Sequence, residues 1–364
     1  MPKLSDITLI GGGISGLLTA RLFSLAGAKV TLIDKGFIGQ ESSWAGGGIL
    51  LPLYPWQQAE AISELVVQSV DKYAALTETV LSATGIDPEY SCSGLLMTQL
   101  SDIEKAKTWC KHYAFNYQTA TTKQLQCYPQ ANEQALYLPD IAQVRNPRLL
   151  KALKQDLLQR GVTLIENCTI ETATIKNQKI THIASNTQQF SVNQLLITSG
   201  AWTADLWKKL IGTEQPNIFP VKGEMLILAT DPNTLQEMVL ENNRYLIPRR
   251  DGKILCGSTV EQSGFDKTTS ESAAQSLADF ARELCPPLLK NAPILHHWAG
   301  IRPGTEQGIP YVDKHPTIDN LAINAGHFRN GFAMGPAAAQ LVYDLVTGTK
   351  TAVNPQPYQL SATH

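Results

Sequence analysis

At 364 residues the chain is longer than one hydrophobic core usually supports, so two domains are expected. Its hydrophobic content of 43% and charged content of 17% describe a globular protein with a substantial core, and a formal net charge of -2 gives no electrostatic case for nucleic acid. No uninterrupted apolar stretch is long enough to span a bilayer, and glycines break the first apolar run, so neither a transmembrane segment nor a signal peptide is read and a cytoplasmic location is expected. Cys92, Cys110, Cys127, Cys168, Cys256 and Cys285 form no CxxC pair, and the histidines form no HxxxH pattern. Reduced thiols and no metal site are expected.

The opening reads as strand, glycine turn, helix, strand, acid: Ile7-Thr8-Leu9-Ile10, Gly11-Gly12-Gly13-Ile14-Ser15-Gly16, a helical run to Gly27, then Val30-Thr31-Leu32-Ile33-Asp34. Gly11 permits a tight turn, Gly13 a close approach of backbone to a pyrophosphate, and Gly16 close helix–strand packing. The free N–H groups of the helix start suit phosphate, and Asp34 stands where a ribose hydroxyl is held. This context points to a dinucleotide; the motif alone does not separate FAD from NAD.

Next comes Ser42-Ser43-Trp44-Ala45-Gly46-Gly47-Gly48-Ile49. Three successive glycines make a poor helix or strand interior, so this is either a flexible loop or backbone pressed against a flat ligand. Pro52 to Trp56 is a stiff aromatic crossing, a pocket wall or lid on one reading and plain packing on the other. An amphipathic helix is predicted over 57–82 and another over 102–113, with a strand at 94–97. Asn146-Pro147 reads as an N-cap with proline in the first turn of a helix that ends at Gly161, and Val162 to Glu166 as a buried strand. Short strands are predicted within 169–184 and 189–198, then a helix over 204–211. Strands at 219–228, 245–248 and 254–258 suggest an antiparallel sheet. A helix at 270–284, a strand at 321–324 and a closing helix stopped by Gly348 complete the pattern, and the tail past Pro355 is expected to fray.

The segments Pro220-Val221-Lys222-Gly223-Glu224, Ala299-Gly300-Ile301-Arg302-Pro303-Gly304 and Gly326-His327-Phe328-Arg329-Asn330-Gly331, with the two glycine-rich stretches above, resemble the D-amino-acid oxidase family of FAD-dependent oxidoreductases nearly end to end. Within that family the chain is most similar to the glycine-oxidising branch of the thiamine pathway. The resemblance implies an α/β fold. A Rossmann-like FAD-binding domain would be assembled from residues 1–50, 140–215 and 296–350. A second α+β substrate domain, built on an antiparallel sheet, would take 51–139 and 216–295, leaving 351–364 as a tail.

It also implies FAD contacts from Gly11, Gly13, Ile14, Ser15, Gly16, Asp34 and Lys35 at the first turn and second strand. Ser42, Ser43, Ala45, Gly46, Gly47, Gly48 and Ile49 would lie along the flavin ring. Ile170 would hold the adenine, with Gly200 and Trp202 beside the pyrophosphate. Gly326, Phe328, Arg329, Asn330 and Gly331 would face the flavin's polar edge, and Gly300, Arg302 and His327 are further implied cofactor contacts. No cysteine stands near Arg329, so the implied FAD is non-covalent.

From the residues alone, Arg302 is equally a salt-bridged arginine packed on Trp298 or a carboxylate clamp. The resemblance implies the clamp, with Tyr245 on the same carboxylate and Arg329 beside it. His327 reads as a structural histidine before a base. The implied chemistry is oxidative deamination of glycine, and of sarcosine or small D-amino acids, to an imino acid or glyoxylate with hydrogen peroxide. The implied partners are the small amino acid, O2, thiazole synthase and further copies of the chain as a homo-oligomer, with no nucleic acid. Three alternatives stand: an oxidase or dehydrogenase for larger D- or N-methyl amino acids, a flavin domain acting on tRNA aminomethyl groups, and a non-catalytic flavoprotein scaffold.

Overall fold

The structure is a computed structural model that describes residues 6–132, 134–212 and 216–362. The domain edges expected at 1, 215 and 364 lie outside those residues. The opening strand Ile7–Ile10 sits inside a six-stranded sheet, parallel to Gln194–Ile197 on one side and to Val30–Ile33 on the other. Leu321–Ala325 and Thr163–Ile165 extend the parallel run outward, and Tyr311–Lys314 closes one edge antiparallel. Every residue of the opening strand is buried, as a strand covered on both faces should be. The helix Ile14–Leu25 follows directly on the turn, where Gly11 has φ +113°. A Cβ on Gly16 would stand 1.9 Å from the Gly11 carbonyl oxygen, so helix and strand lie at a separation only glycine permits.

The second large sheet has eight strands in the order 294–304, 219–229, 253–257, 244–248, 238–241, 95–97, 136–138 and 118–119. All neighbours are antiparallel except Met238–Glu241 with Leu95–Met97. The edge strand Ile294–Gly304 runs across the domain boundary expected at 296, pairing along most of its length with Phe219–Ala229 and ending at the parallel sheet's side of the molecule. A small three-stranded antiparallel sheet spans 172–191.

Two long helices pack together beside the parallel sheet. The long helix Glu60–Thr84 packs on the closing helix Gly331–Thr347, which carries Pro336 in its interior. Proline removes one helical N–H and displaces the bond to the carbonyl four residues back. Tyr73 repairs the damage by donating its hydroxyl to the Phe332 carbonyl at 2.6 Å, and Ser69 Oγ accepts the Ala337 N–H at 3.0 Å.

Three expectations are corrected. Asn146 is not a cap: it lies in the first turn of Asn146–Gln159 behind Arg145, and its side chain is buried and turned to the Ser42–Gly48 loop. The strand Thr163–Ile165, expected to be buried, is exposed at Thr163 and half-buried at Leu164 and Ile165, because it is the outer strand of its sheet. Of the tail expected to fray past Pro355, the described residues 356–362 are packed on the fold. Gln356–Tyr358 is a short 3-10 turn, and Tyr358 is fully buried with its hydroxyl donated to the Ala61 carbonyl at 2.7 Å.

Candidate active site

One cleft of 390 Å³ runs from the C-terminal ends of the parallel strands to the face of the antiparallel sheet. Such a crevice is where open α/β sheets take ligands, and its volume is that of a small-molecule site. It is lined by every residue expected above to touch FAD or substrate except Gly16, which is enclosed in the helix–strand contact, and Gly326. The cleft therefore brings together segments as far apart as Gly11 and Gly331.

At one end Asp34 fixes the glycine turn. Its carboxylate accepts from the Gly12 N–H at 2.7 Å and the Gly36 N–H at 2.8 Å, and burial pushes its pKa above the usual carboxylate value against those two bonds. Lys35 Nζ lies 3.4 Å from the centre of the Trp202 ring, which stacks in turn on Phe265. Ile170 and Cys168 complete this end, and the Cys168 N–H donates to the Asp34 carbonyl.

In the middle, the helix start at Ile14 offers first-turn amides that no intrahelical carbonyl can accept. Ser43 Oγ takes the Ile14 N–H at 2.9 Å. His327 is 3% exposed, with Nδ1 3.4 Å from Ser15 Oγ, and burial drops its pKa to about 4, so it is neutral at physiological pH. Phe328 (φ 47°) carries the chain into the closing helix, whose N-cap is Asn330; that side chain donates to Gln58 Oε1 at 2.8 Å.

The triple-glycine stretch is not a flexible loop. Ser42–Ala45 is one helical turn, and the backbone after it is gripped from behind. Arg249, fully buried, donates to the Gly47 carbonyl at 2.7 Å, to Gln143 Oε1 at 2.7 Å and to the Val144 carbonyl at 3.0 Å. Asn146 Nδ2 donates to the Ser43 carbonyl, and a Cβ on Gly48 (φ +80°) would meet the Val144 carbonyl at 2.1 Å. Carbonyls are thus drawn away from the cleft.

At the far end stand Tyr245, Arg302 and Arg329. Arg302 has no ion-pair partner among the described residues, and Trp298 is engaged elsewhere, donating its indole N–H to the Ala45 carbonyl at 3.1 Å. Three of the five N–H donors of the guanidinium are held by neutral oxygens: Nη1 by the Lys222 carbonyl at 3.2 Å and the Thr259 carbonyl at 3.1 Å, Nη2 by Ser258 Oγ at 2.8 Å. Nε–H and the second Nη2–H remain for a ligand, the number a bidentate carboxylate takes. Burial lowers the Arg302 pKa to about 10, with Tyr245 opposing and Arg329 adding to the shift, and the group stays charged at neutral pH. The Tyr245 hydroxyl donates only to Met225 Sδ, at 3.7 Å. Arg329 touches the Asn243 carbonyl at 3.4 Å, and its pKa too is lowered by burial.

Behind Arg302, Lys222 Nζ is 2.8 Å from Glu224 Oε1 and 3.2 Å from Glu261 Oε2. His297 Nε2 lies 2.7 Å from Glu224 Oε2 but off the line of a hydrogen bond. Reading the sequence missed Arg249, Asn146, Ser258 and this ion cluster.

The residues fit FAD. Asn146 Oδ1, Asn324 Oδ1 and His327 Nε2 all belong to cleft-lining side chains and are buried without a hydrogen-bond partner, a costly state unless a polar ligand meets them. A glycine turn with an acid at one end and a helix start whose amides are only partly taken in the middle suit a dinucleotide, and the flat glycine backbone suits a ring.

The chain belongs to the FAD dependent oxidoreductase family that includes D-amino-acid oxidase, whose model matches residues 6–345. Among its relatives, the glycine oxidase of Pseudomonas aeruginosa is 40% identical over 357 residues, covering 97% of both chains. The glycine oxidase of Geobacillus kaustophilus has a crystal structure that superimposes with a TM-score of 0.89 at 29% identity, covering 98% of each chain. A bifunctional ThiO/ThiG protein of Synechocystis is 28% identical over 366 residues, and the match spans 53% of that longer protein.

Proposed function

We propose that the protein is an FAD-dependent amino-acid oxidase acting on glycine, and on sarcosine or small D-amino acids more slowly. The observation that carries the reading is Arg302, a partly buried cation with two donors left over on the cleft, beside Tyr245 at the end opposite Asp34. The relatives' shared activity supports glycine as the substrate.

Non-covalently bound FAD supplies the acceptor for the hydride that leaves the substrate α-carbon. The chain does the rest. Arg302 pairs with the carboxylate, and Tyr245 swings its hydroxyl from the weak Met225 contact to the same group. Arg329 keeps positive charge close to the bound amine, which favours the uncharged amine nitrogen whose lone pair the oxidation needs. The carboxylates that line the cleft, Asp34, Glu41 and Asp205, group around Lys35 at the other end. No base is asked to take a proton from carbon. The apolar walls exclude water while the acid is held at attack distance. The overall change is glycine, O2 and water to glyoxylate, ammonia and hydrogen peroxide.

The division into a discontinuous FAD domain and a substrate domain belongs to the same proposal, as do a cytoplasmic homo-oligomer and delivery of the imine to thiazole synthase. Support for the last comes from the ThiO/ThiG fusion, and support for the location from six unpaired cysteines. Among the described residues no helix is long and apolar enough to cross a membrane.

The test is peroxide release by the yellow holoenzyme across glycine, sarcosine, D-alanine and D-proline. Glycine is expected to give the highest kcat/KM. A preference for bulkier substrates, or dye reduction without peroxide, would move the protein to another branch of the family.

A further inference from the structure

Two glycines of the large sheet stand where the backbone does not ask for glycine. Gly223 lies within Phe219–Ala229 and Gly257 ends Lys253–Gly257, and neither has a positive φ. Glycine inside a strand weakens it and marks a close approach. Here both approaches are by side chains of the cleft. A Cβ on Gly223 would stand 2.1 Å from Arg302 Nη2, 2.2 Å from Nη1 and 2.3 Å from Cζ, so the guanidinium lies flat across that backbone. A Cβ on Gly257 would stand 2.8 to 2.9 Å from the Tyr245 ring and hydroxyl.

The two seats are adjacent in the sheet, since Gly257 pairs with Tyr245 on one side and with Met225 on the other. The chain after Gly257 then folds over Arg302. Ser258, 5% exposed, accepts from Nη2, and the Thr259 carbonyl accepts from Nη1. This crossing is fastened at its far end, where Lys222 and Glu261 exchange backbone hydrogen bonds of 2.9 and 3.0 Å and Thr259 Oγ1 donates to Glu261 Oε1 at 2.6 Å. All three acceptors on Arg302 are uncharged, so the seat orients the cation without neutralising it.

We propose that Gly223, Gly257 and Ser258 are positioning residues for the substrate carboxylate. The glycines set the depth at which Arg302 and Tyr245 rest. Ser258 sets the rotation of the guanidinium plane, so that Nε–H and the second Nη2–H present one flat edge to the cleft. A planar fork recognises a carboxylate bidentately only when that edge is aligned, and a small misplacement is expensive. The inference rests on Arg302 being the carboxylate clamp.

The experiment compares FAD-loaded Ser258→Ala, Ser258→Thr, Gly223→Ala and Arg302→Lys with the parent. It reads KM and kcat for glycine, the Kd for acetate from perturbation of the flavin absorption band, FAD content and melting temperature. Ser258→Ala is expected to raise KM and acetate Kd together by about tenfold, with kcat changed by less than about threefold, as for loss of one charge-assisted bond. Ser258→Thr, which keeps the oxygen, should restore most of that affinity. Gly223→Ala should weaken acetate by about a hundredfold, since the cation must leave its seat. The proposal is overturned if Ser258→Ala and Gly223→Ala leave acetate affinity within about twofold while Arg302→Lys loses it. It is equally overturned if Ser258→Ala lowers FAD content and melting temperature and Ser258→Thr restores nothing. If Arg302→Lys itself binds acetate normally, the clamp reading falls first and the positioning roles fall with it.

Discussion

Arg302 stands in the edge strand Ile294–Gly304 and Arg249 just after the strand Arg244–Pro248, and desolvation brings each guanidinium to a pKa of about 10. Both meet neutral oxygens where an ordinary buried cation would meet a carboxylate. Each leaves Nε–H and one Nη2–H unused, and the two differ in where those donors lie: Arg302 lines the cleft and Arg249 does not. Arg249 turns its fork onto the chain's own carbonyls, and its unpartnered Nε is sealed from solvent. Arg302 keeps two donors on the cleft. One cation shapes the backbone on which the flavin would rest, and the other waits for an anion. Neither desolvation nor spare donors alone therefore marks a ligand-binding arginine; spare donors that face the cleft do.

The comparison breaks most visibly at Arg302. Arg302→Ala should reduce kcat/KM for glycine by about a thousandfold, roughly 4 kcal/mol, because a desolvated carboxylate loses its charge partner. Chemical unfolding of the same variant should show a smaller loss of stability than Arg249→Met, since Arg302 is only partly buried and the Lys222 carbonyl it frees keeps the Glu261 N–H. Arg249→Met should behave in the opposite sense, losing about 2–4 kcal/mol of folding stability as three acceptors lose their donor. Its FAD affinity, followed by fluorescence on titrating the apoprotein, should fall as well, while the KM for glycine of the loaded enzyme stays within about threefold. If both variants failed in the same way, the two arginines would not be doing different jobs.

His327 gives a smaller, pH-dependent test between these two ends. Its pKa is about 4 in the folded protein, against about 6.5 when exposed. Between those values the unfolded chain binds a proton that the native state refuses, so stability is full above about 6.5 and falls as the pH drops toward 4. His327→Gln should flatten the melting temperature of the apoprotein over that window, and an unchanged slope would remove His327 from the acid response. Smallest of all, Tyr245→Phe should raise KM for glycine about tenfold with little change in FAD retention, sharpening how much of the clamp is Arg302 alone.

How much of this could be read beforehand divides along the same line. The glycine turn, Asp34 and the helix behind them were legible because their chemistry is local: each glycine answers to a turn or a packing distance within one βαβ unit. Arg302 and Tyr245 could be named only through family resemblance. By periodicity alone Tyr245 is an ordinary strand residue and Arg302 an ordinary ion-pair candidate. Arg249, Asn146 and Ser258 left no signal, because their roles depend on which strands become neighbours. Asn146 before Pro147 has the form of a helix cap, yet tertiary packing draws its amide to the Ser43 carbonyl. Gly223 was quoted as part of a motif, but its meaning appears only when Arg302 arrives from a strand 80 residues away.

The burial of Tyr358 has a practical consequence. Its hydroxyl is fastened to the first turn of Glu60–Thr84, the helix that carries the two side chains that mend the Pro336 break in the closing helix, whose start lines the cleft. A carboxypeptidase nick or an affinity handle that dislodges this plug would loosen the pocket wall from outside. Preparations trimmed beyond Pro355 would then turn pale and sluggish with every residue that meets FAD or substrate still in place.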